Sequence, residues 1–275
     1  MLKLNKVIIK GAALKTNLCM VILAMSAFFV QAKTTNETLK FLGIPIDGTK
    51  EQFEAKLLAK DFTHNRYKGG YTGQFNGKNV TVYPVTNHGL VYRVYVEFPS
   101  TTSRFKIIEE YNNLLGQLNK NSKYQSFNLD EEIPSDEDIL HEMRTYNKRY
   151  QASFNYFKPS RDTIEIFKAA VENLQGVVTN DELERWRKNV TKVSSMTQEE
   201  QQIMVEQALS QLDNMTSVLG ENDSVKALKI LSALIEGYTL QADGQVWFMI
   251  FENDGKYNIG LYYDNLHNAP HGEDL

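Results

Sequence analysis

The sequence predicts an α+β fold in which an antiparallel sheet with packed helices is interrupted by an all-helical insertion. Aromatic and β-branched runs, such as Val91 to Phe98 and Val246 to Phe251, are typical of strands. Asn76-Gly77 and Asp254-Gly255 interrupt such runs and indicate tight hairpins. Between residues 161 and 239, by contrast, aromatic residues become fewer and helix-capping patterns take over.

Two helices are predicted before the insertion. Thr49 and Gln52 have the spacing of a capping box, in which two side chains satisfy free backbone N–H groups at a helix start. This pattern predicts a helix from about 50 to 60. Apolar residues at intervals of three and four predict a second helix from about 103 to 119. A short apolar segment, Phe41 to Ile46, predicts an entry strand ahead of the first helix.

Hairpins are predicted on both sides of the second helix. The turn residues Asn87-His88-Gly89 follow Asn76-Gly77 at a distance suited to a strand, which indicates consecutive antiparallel strands. After the helix, Ile139 to Tyr146 and Tyr150 to Phe157 predict a further hairpin around the polar residues 147–149.

The helical insertion is predicted over residues 161–239. Thr179 with Glu182 forms another capping box. Val205 to Leu219 has apolar residues at helical spacing, and a last helix is expected from Ser224 to Gly237. The segment therefore interrupts the strands with helices alone.

Residues 33–160 and 240–275 are expected to form one α+β domain, because loop-closure entropy grows only slowly with the length of an insertion. The insertion helices carry apolar stripes, and most helical stability comes from burying such stripes. We therefore expect the insertion to pack on the sheet, with Trp186 largely buried.

Residues 1–32 have the parts of a secretory signal. A segment with four lysines and no acidic residue precedes the apolar run Leu18 to Val30, and a small residue, Ala32, closes the segment. The run has 13 residues, whereas a membrane-spanning helix needs about 20. We expect cleavage after Ala32 and a periplasmic or secreted mature chain. The alternative is an uncleaved anchor, which would also export the rest of the chain.

Cleavage would change the chemistry of the chain in two ways. The single cysteine, Cys19, lies inside the signal, so the mature chain has neither disulfides nor thiolate chemistry. Loss of four lysines changes the formal net charge from −4 to −8. Because no basic cluster remains to follow a phosphate backbone, nucleic acid is an unsuitable partner. We expect no membrane span after the signal is removed, and no cofactor.

The strongest candidate for a binding surface is the aromatic group near the C-terminus. Alternation along a strand places Trp247 and Met249 on one face and Phe248 on the other. One face must be core, and the simpler expectation is that the insertion covers the second. Otherwise the second face could bind a sugar or a protein, since Tyr and Trp are enriched in such contacts. The candidate binding residues are Trp247, Phe248, Tyr257, Tyr262 and Tyr263.

A metal site is the rival candidate. His267 and His271 have the His-x-x-x-His spacing, and Asp264 is a nearby oxygen donor. The simpler interpretation is a solvated tail, because Pro270 and Gly272 break any helix.

Three segments resemble exported proteins of Bacteroides and related gut bacteria. These are Phe41 to Phe62, which begins FLGIPIDG, Asn147 to Phe154, and Val246 to Leu275, which contains YYDNLHNAPHGEDL. The resemblance implies origin and compartment, and it carries no catalytic residues to transfer. The element order also resembles β-lactamase-inhibitor proteins and outer-membrane assembly lipoproteins, as an analogy of fold only.

The sequence contains no nucleophile elbow, phosphate loop or dinucleotide fingerprint. We therefore expect a non-catalytic binding or interaction module with a protein or glycan partner in the cell envelope. The alternative is a small metal-assisted hydrolase that uses the C-terminal histidines and acids.

Overall fold

A computed structural model describes residues 37–126, 132–158, 163–194 and 221–270. These residues fall into two compact units, one within 36–158 and 242–275, the other within 159–241. The segments predicted as the signal peptide and as the helix at 205–219 lie outside the described residues.

The α+β class is confirmed by an antiparallel sheet of eight strands accompanied by helices. In chain order the strands are β1 (Lys40–Phe41), β2 (Ile44–Pro45), β3 (Thr63–Asn65), β4 (Gly70–Phe75), β5 (Lys78–Asn87), β6 (Leu90–Glu97), β7 (Tyr124–Gln125), β8 (Gln151–Tyr156), β9 (Gly244–Asn253) and β10 (Lys256–Asn265). The large sheet has the order β3-β4-β5-β6-β10-β9-β8-β7. It therefore joins strands from both ends of the first unit.

The predicted entry strand is instead a small hairpin of β1 and β2. Leu42 and Gly43 have positive φ angles of 50° and 78°, so the chain reverses between the two strands. An apolar pattern alone predicts one continuous strand, because it does not reveal a turn made by leucine and glycine. Phe41 is nevertheless fully buried in the core.

Three helices cover one face of the sheet. They are α1 (Lys50–Leu58), α2 (Arg104–Lys120) and α3 (Ile139–Tyr146). Phe53 of α1, Ile107 of α2 and Ile139 of α3 are at most 1% exposed and share one core with the strands. The predicted capping box of α1 is confirmed by reciprocal bonds between Thr49 and Gln52.

The hairpin predicted over 139–157 is wrong, because its first half is helix α3. The Asp138 carboxylate accepts a hydrogen bond from the His141 N–H at 3.2 Å, and Asn147, with φ 51°, ends the helix. Capping by these two residues outweighs the weak strand preference of the segment. β8 pairs instead with β9 and β7, in the same sheet.

The tight turns predicted at Asn76-Gly77 and Asp254-Gly255 are confirmed. Both residues of each turn have positive φ, the geometry that twists correctly into a two-residue hairpin. The second turn joins β9 to β10, so it fixes which side chains of those strands lie opposite each other.

The alternation predicted along β9 is confirmed. Val246, Phe248 and Ile250 are at most 1% exposed in the core, whereas Trp247 and Met249 are partly exposed on the opposite face. The face of the sheet that carries Trp247 is therefore distinct from the face covered by α1, α2 and α3.

The second unit contains α4 (Thr163–Glu172), α5 (Asn180–Ser194) and α6 (Glu221–Thr239). The capping box of Thr179 and Glu182 is confirmed at the start of α5. Trp186 is 6% exposed, as expected. None of the helices in the described part of the chain is both long and apolar enough to span a bilayer.

Candidate functional site

Four aromatic rings form a continuous row across four neighbouring strands. They belong to Tyr83 (β5), Tyr95 (β6), Tyr262 (β10) and Trp247 (β9), which lie directly opposite one another in register. Successive ring centroids are 5.5, 4.8 and 3.8 Å apart, and the rings are within 18° of parallel. We call these four residues the aromatic row. All four are partly exposed.

The rings of the aromatic row stand on the sheet with their faces against each other. At 3.8 Å and 7° between planes, the indole of Trp247 lies face to face with the Tyr262 ring. The row therefore presents mainly ring edges and hydroxyl groups outward. The second face of the indole points the other way, towards β8, where Ser153 is the residue directly opposite.

Two glycines leave room for the rings. A Cβ atom on Gly70 would lie 2.7 Å from Cε1 of Tyr83. A Cβ atom on Gly260 would lie 2.6 Å from Phe251 Cε2 and 3.0 Å from Tyr95 Cε2. A side chain at Gly70 would therefore displace the Tyr83 ring, and one at Gly260 would displace Phe251 and crowd Tyr95.

A row of polar residues runs beside the aromatic row. Arg93, Asp264, Gln245 and Asn155 lie opposite one another on β6, β10, β9 and β8, and we call them the polar row. Arg93 donates from Nε and Nη2 to the two Asp264 carboxylate oxygens, at 2.6 and 2.8 Å. The indole Nε1–H of Trp247 donates to the same carboxylate at 2.9 Å.

This arrangement fixes the two rows to each other. The Arg93 guanidinium carbon lies 5.6 Å from the Trp247 ring centroid and 5.4 Å from that of Tyr262, within cation–π range. Asp264 is only 4% exposed. A buried carboxylate is costly without partners, and here three charge-assisted hydrogen bonds, two from Arg93 and one from Trp247, stabilise its charge.

Charges at the far end of the aromatic row are also paired. Glu97 accepts a hydrogen bond from the Tyr83 hydroxyl at 3.2 Å and from Lys68 Nζ at 3.0 Å. Burial raises the pKa of the Tyr95 and Tyr262 hydroxyls above the usual value, so both stay protonated at neutral pH. The surface therefore offers neutral hydroxyl and ring groups between compensated charges.

The predicted binding residues divide between the two faces of the sheet. Trp247 and Tyr262 belong to the aromatic row. Phe248, Tyr257 and Tyr263 are 0%, 5% and 8% exposed in the core and do not belong to this surface. The predicted binding residues did not include Tyr83, Tyr95 or the polar row, of which Asp264 alone was predicted, as a metal ligand. Tyr83, Tyr95 and Arg93 could not be found by local pattern because β5 and β6 are distant in the sequence from β9 and β10.

The structure does not assemble the predicted metal site from the described residues. Both oxygens of Asp264 are engaged by Arg93, and His267 is exposed. His271 lies outside the described residues. Within the ranges that the structure describes, no group of three or more His, Cys, Asp or Glu side chains could hold a metal ion.

Comparison with known proteins adds no functional information. No family model, curated protein or solved structure matches the chain. The functional interpretation therefore depends on the geometry of the two rows.

Proposed function

We propose that the protein is an exported, non-catalytic binding module that holds its ligand on the surface formed by the aromatic and polar rows. The observation that carries the proposal is the stack of four partly exposed rings fixed by the Arg93–Asp264 pair. Tyr, Trp and Arg are the side chains that contribute most strongly to recognition surfaces.

Rigidity supports a binding role. Each ring of the aromatic row is held by its neighbour, and Trp247 is also held by its hydrogen bond to Asp264. Side chains that are already ordered lose little conformational entropy when a ligand binds. The row is therefore preorganised, which favours affinity without new structure.

The state of Asp264 favours binding over catalysis at this surface. A general base or nucleophile needs a carboxylate that can reach a reacting group. The Asp264 oxygens are buried and accept bonds from Arg93 and Trp247. Its role here is to position those two side chains.

The proposal is tested by capture of envelope components with immobilised mature protein. We expect wild type to retain a specific component and the double variant Tyr95→Ser/Tyr262→Ser to lose it. The matched control is Phe105→Ser/Tyr146→Ser, which removes two exposed aromatic side chains from α2 and α3. Equal capture by both double variants would contradict the proposal, provided that circular dichroism shows both to be folded.

Export is part of the same proposal and has its own test. The lysine segment and the apolar run Leu18 to Val30 support it. Mass spectrometry of the protein from its native cells is expected to show a chain that begins at Lys33. An intact Met1, or a lipid on Cys19, would contradict cleavage after Ala32.

A further inference from the structure

We infer that the ligand is a neutral carbohydrate and that one of its pyranose rings stacks on the outer face of Trp247, above Ser153. This inference rests on the proposed function and names its ligand class. It is carried by three features of the surface: the partly exposed end ring of the aromatic row, a small residue beside it, and neutral polar groups around it.

The first feature is the outer face of the indole. The three ring contacts of the aromatic row leave the outer faces of its two end rings, Tyr83 and Trp247, and the indole is the larger of the two ring systems. Tyr262 covers only one face of Trp247, since it lies on the β10 side, and the other face points towards β8. The negative face of an aromatic ring attracts weakly positive C–H groups, which one side of a pyranose ring presents.

The second feature is the small side chain beside the indole on β8. Ser153 lies directly opposite Trp247, and a serine side chain is too short to cover an indole. On the other side of Trp247, the residue directly opposite on β10 is Tyr262, whose ring stacks on the indole. The side chain one strand spacing beyond the indole, about 4.8 Å away, is therefore small.

The third feature is the chemistry of the side chains on either side of Ser153 and Trp247. Gln151, opposite Met249, is exposed, and Gln245, two residues before Trp247, is partly exposed. A carboxamide both donates and accepts hydrogen bonds, as a sugar hydroxyl does. Carboxamides on both sides of an aromatic face therefore match a ring that carries several hydroxyl groups.

The charge at this surface favours a neutral sugar over an acidic one. Arg93 is the cation of the polar row, and its charge is compensated by Asp264 at 2.6 Å. An anionic ligand would be repelled by the Asp264 carboxylate and would find Arg93 already paired. A neutral sugar is not repelled and does not depend on a cation.

The test uses the emission of Trp247 in the full mature chain carrying Trp186→Phe, so that one tryptophan remains. The probes are cellohexaose, mannohexaose and xylohexaose, with hexagalacturonic acid as the charged control. We expect at least one neutral probe to change the emission saturably and the acidic probe to leave it unchanged. No saturable change with any of the three neutral probes would overturn the inference.

Two variants locate the site. Ser153→Leu places an apolar side chain against the outer face of Trp247. We expect it to raise the Kd of the tightest-binding probe by ~10-fold or more. Ser100→Leu makes the same change at an exposed position beside α2 and is expected to leave Kd unchanged. If Ser153→Leu does not fold, the exposed Gln151→Ala replaces it, with a smaller expected loss. An unchanged Kd in the folded variant would overturn the inference.

The outcome also separates this inference from the proposed function. If no sugar binds but Tyr95→Ser/Tyr262→Ser still abolishes capture of an envelope protein, the surface binds a polypeptide and the carbohydrate inference fails alone. If neither sugar binding nor capture depends on these residues, both fail.

Discussion

Arg93 and Asp264 are 171 residues apart in the sequence, yet they lie directly opposite each other on β6 and β10 and share hydrogen bonds of 2.6 and 2.8 Å. β6 and β10 come from the two segments that flank the helical insertion. The pair therefore joins the two parts of the sheet and holds Trp247 upright through the same carboxylate.

Replacing one partner of this pair should destabilise the protein. Asp264→Asn removes the charge that compensates Arg93, and we expect a loss of about 2–4 kcal/mol in the free energy of unfolding. Urea denaturation of both proteins measures this loss. Arg93→Met/Asp264→Asn removes both charges, keeps an acceptor for the Trp247 Nε1–H, and should lose less than Asp264→Asn alone. If the double variant is the less stable of the two, the pair does not act as a compensated unit.

The space at Gly260 is predicted to be essential to the aromatic row. Gly260→Ala would place a Cβ atom within 3.0 Å of the Tyr95 and Phe251 rings and should cost about 1–3 kcal/mol through overpacking. It should also reduce the near-ultraviolet circular dichroism of the stacked rings. Gly116→Ala in α2 is the control, because nothing lies within 4 Å of its Cβ position. This control should be stabilised, since alanine favours a helix, and equal effects would refute the packing argument.

Stability is expected to fall at alkaline pH. Burial raises the pKa of Tyr156 to about 12, and its hydroxyl donates to the Glu37 carbonyl at 2.7 Å. In the unfolded chain a tyrosine ionises near pH ~10. Below that pH the group is protonated in both states; from about 10 to 12 the unfolded state alone loses the proton, so the free energy of unfolding decreases. Urea titrations at several pH values should show a smaller decrease in Tyr156→Phe.

The outer surface of Trp247 is predicted to be accessible to small solutes. In the Trp186→Phe variant, acrylamide should quench the remaining emission, because Trp247 is partly exposed. In Trp247→Phe, the remaining Trp186 is 6% exposed and should be quenched less. Stern–Volmer plots of the two variants make the comparison. Stronger quenching of Trp186 would show that the aromatic row is covered in solution.

Part of the aromatic row could be predicted from local sequence. Counting outward from the turn at Asp254-Gly255 places Trp247 opposite Tyr262, as observed. The same counting fails for β5 and β6. A two-residue turn at His88-Gly89 would place Tyr83 opposite Val94, but Tyr92 is an extra residue that shifts the register, so Tyr83 lies opposite Tyr95.

The rest of the site depends on contacts that no local pattern encodes. The pairing of β6 with β10 places Tyr95 opposite Tyr262 and Arg93 opposite Asp264, although the insertion separates these two strands in the sequence. The α+β class was predictable because strand and helix periodicities are local. Helix α3 was not, because its stability comes from the caps Asp138 and Asn147 and from the burial of Ile139.

The central claim is that the ligand contacts the face of the sheet that carries the aromatic row. It is tested most directly by photocrosslinking in native cells with p-benzoylphenylalanine in place of the exposed Gln151 on β8 or, as the control, Tyr146 on α3. We expect an ultraviolet-dependent adduct at position 151 and none at position 146. An adduct at position 146 with none at position 151 would contradict the claim.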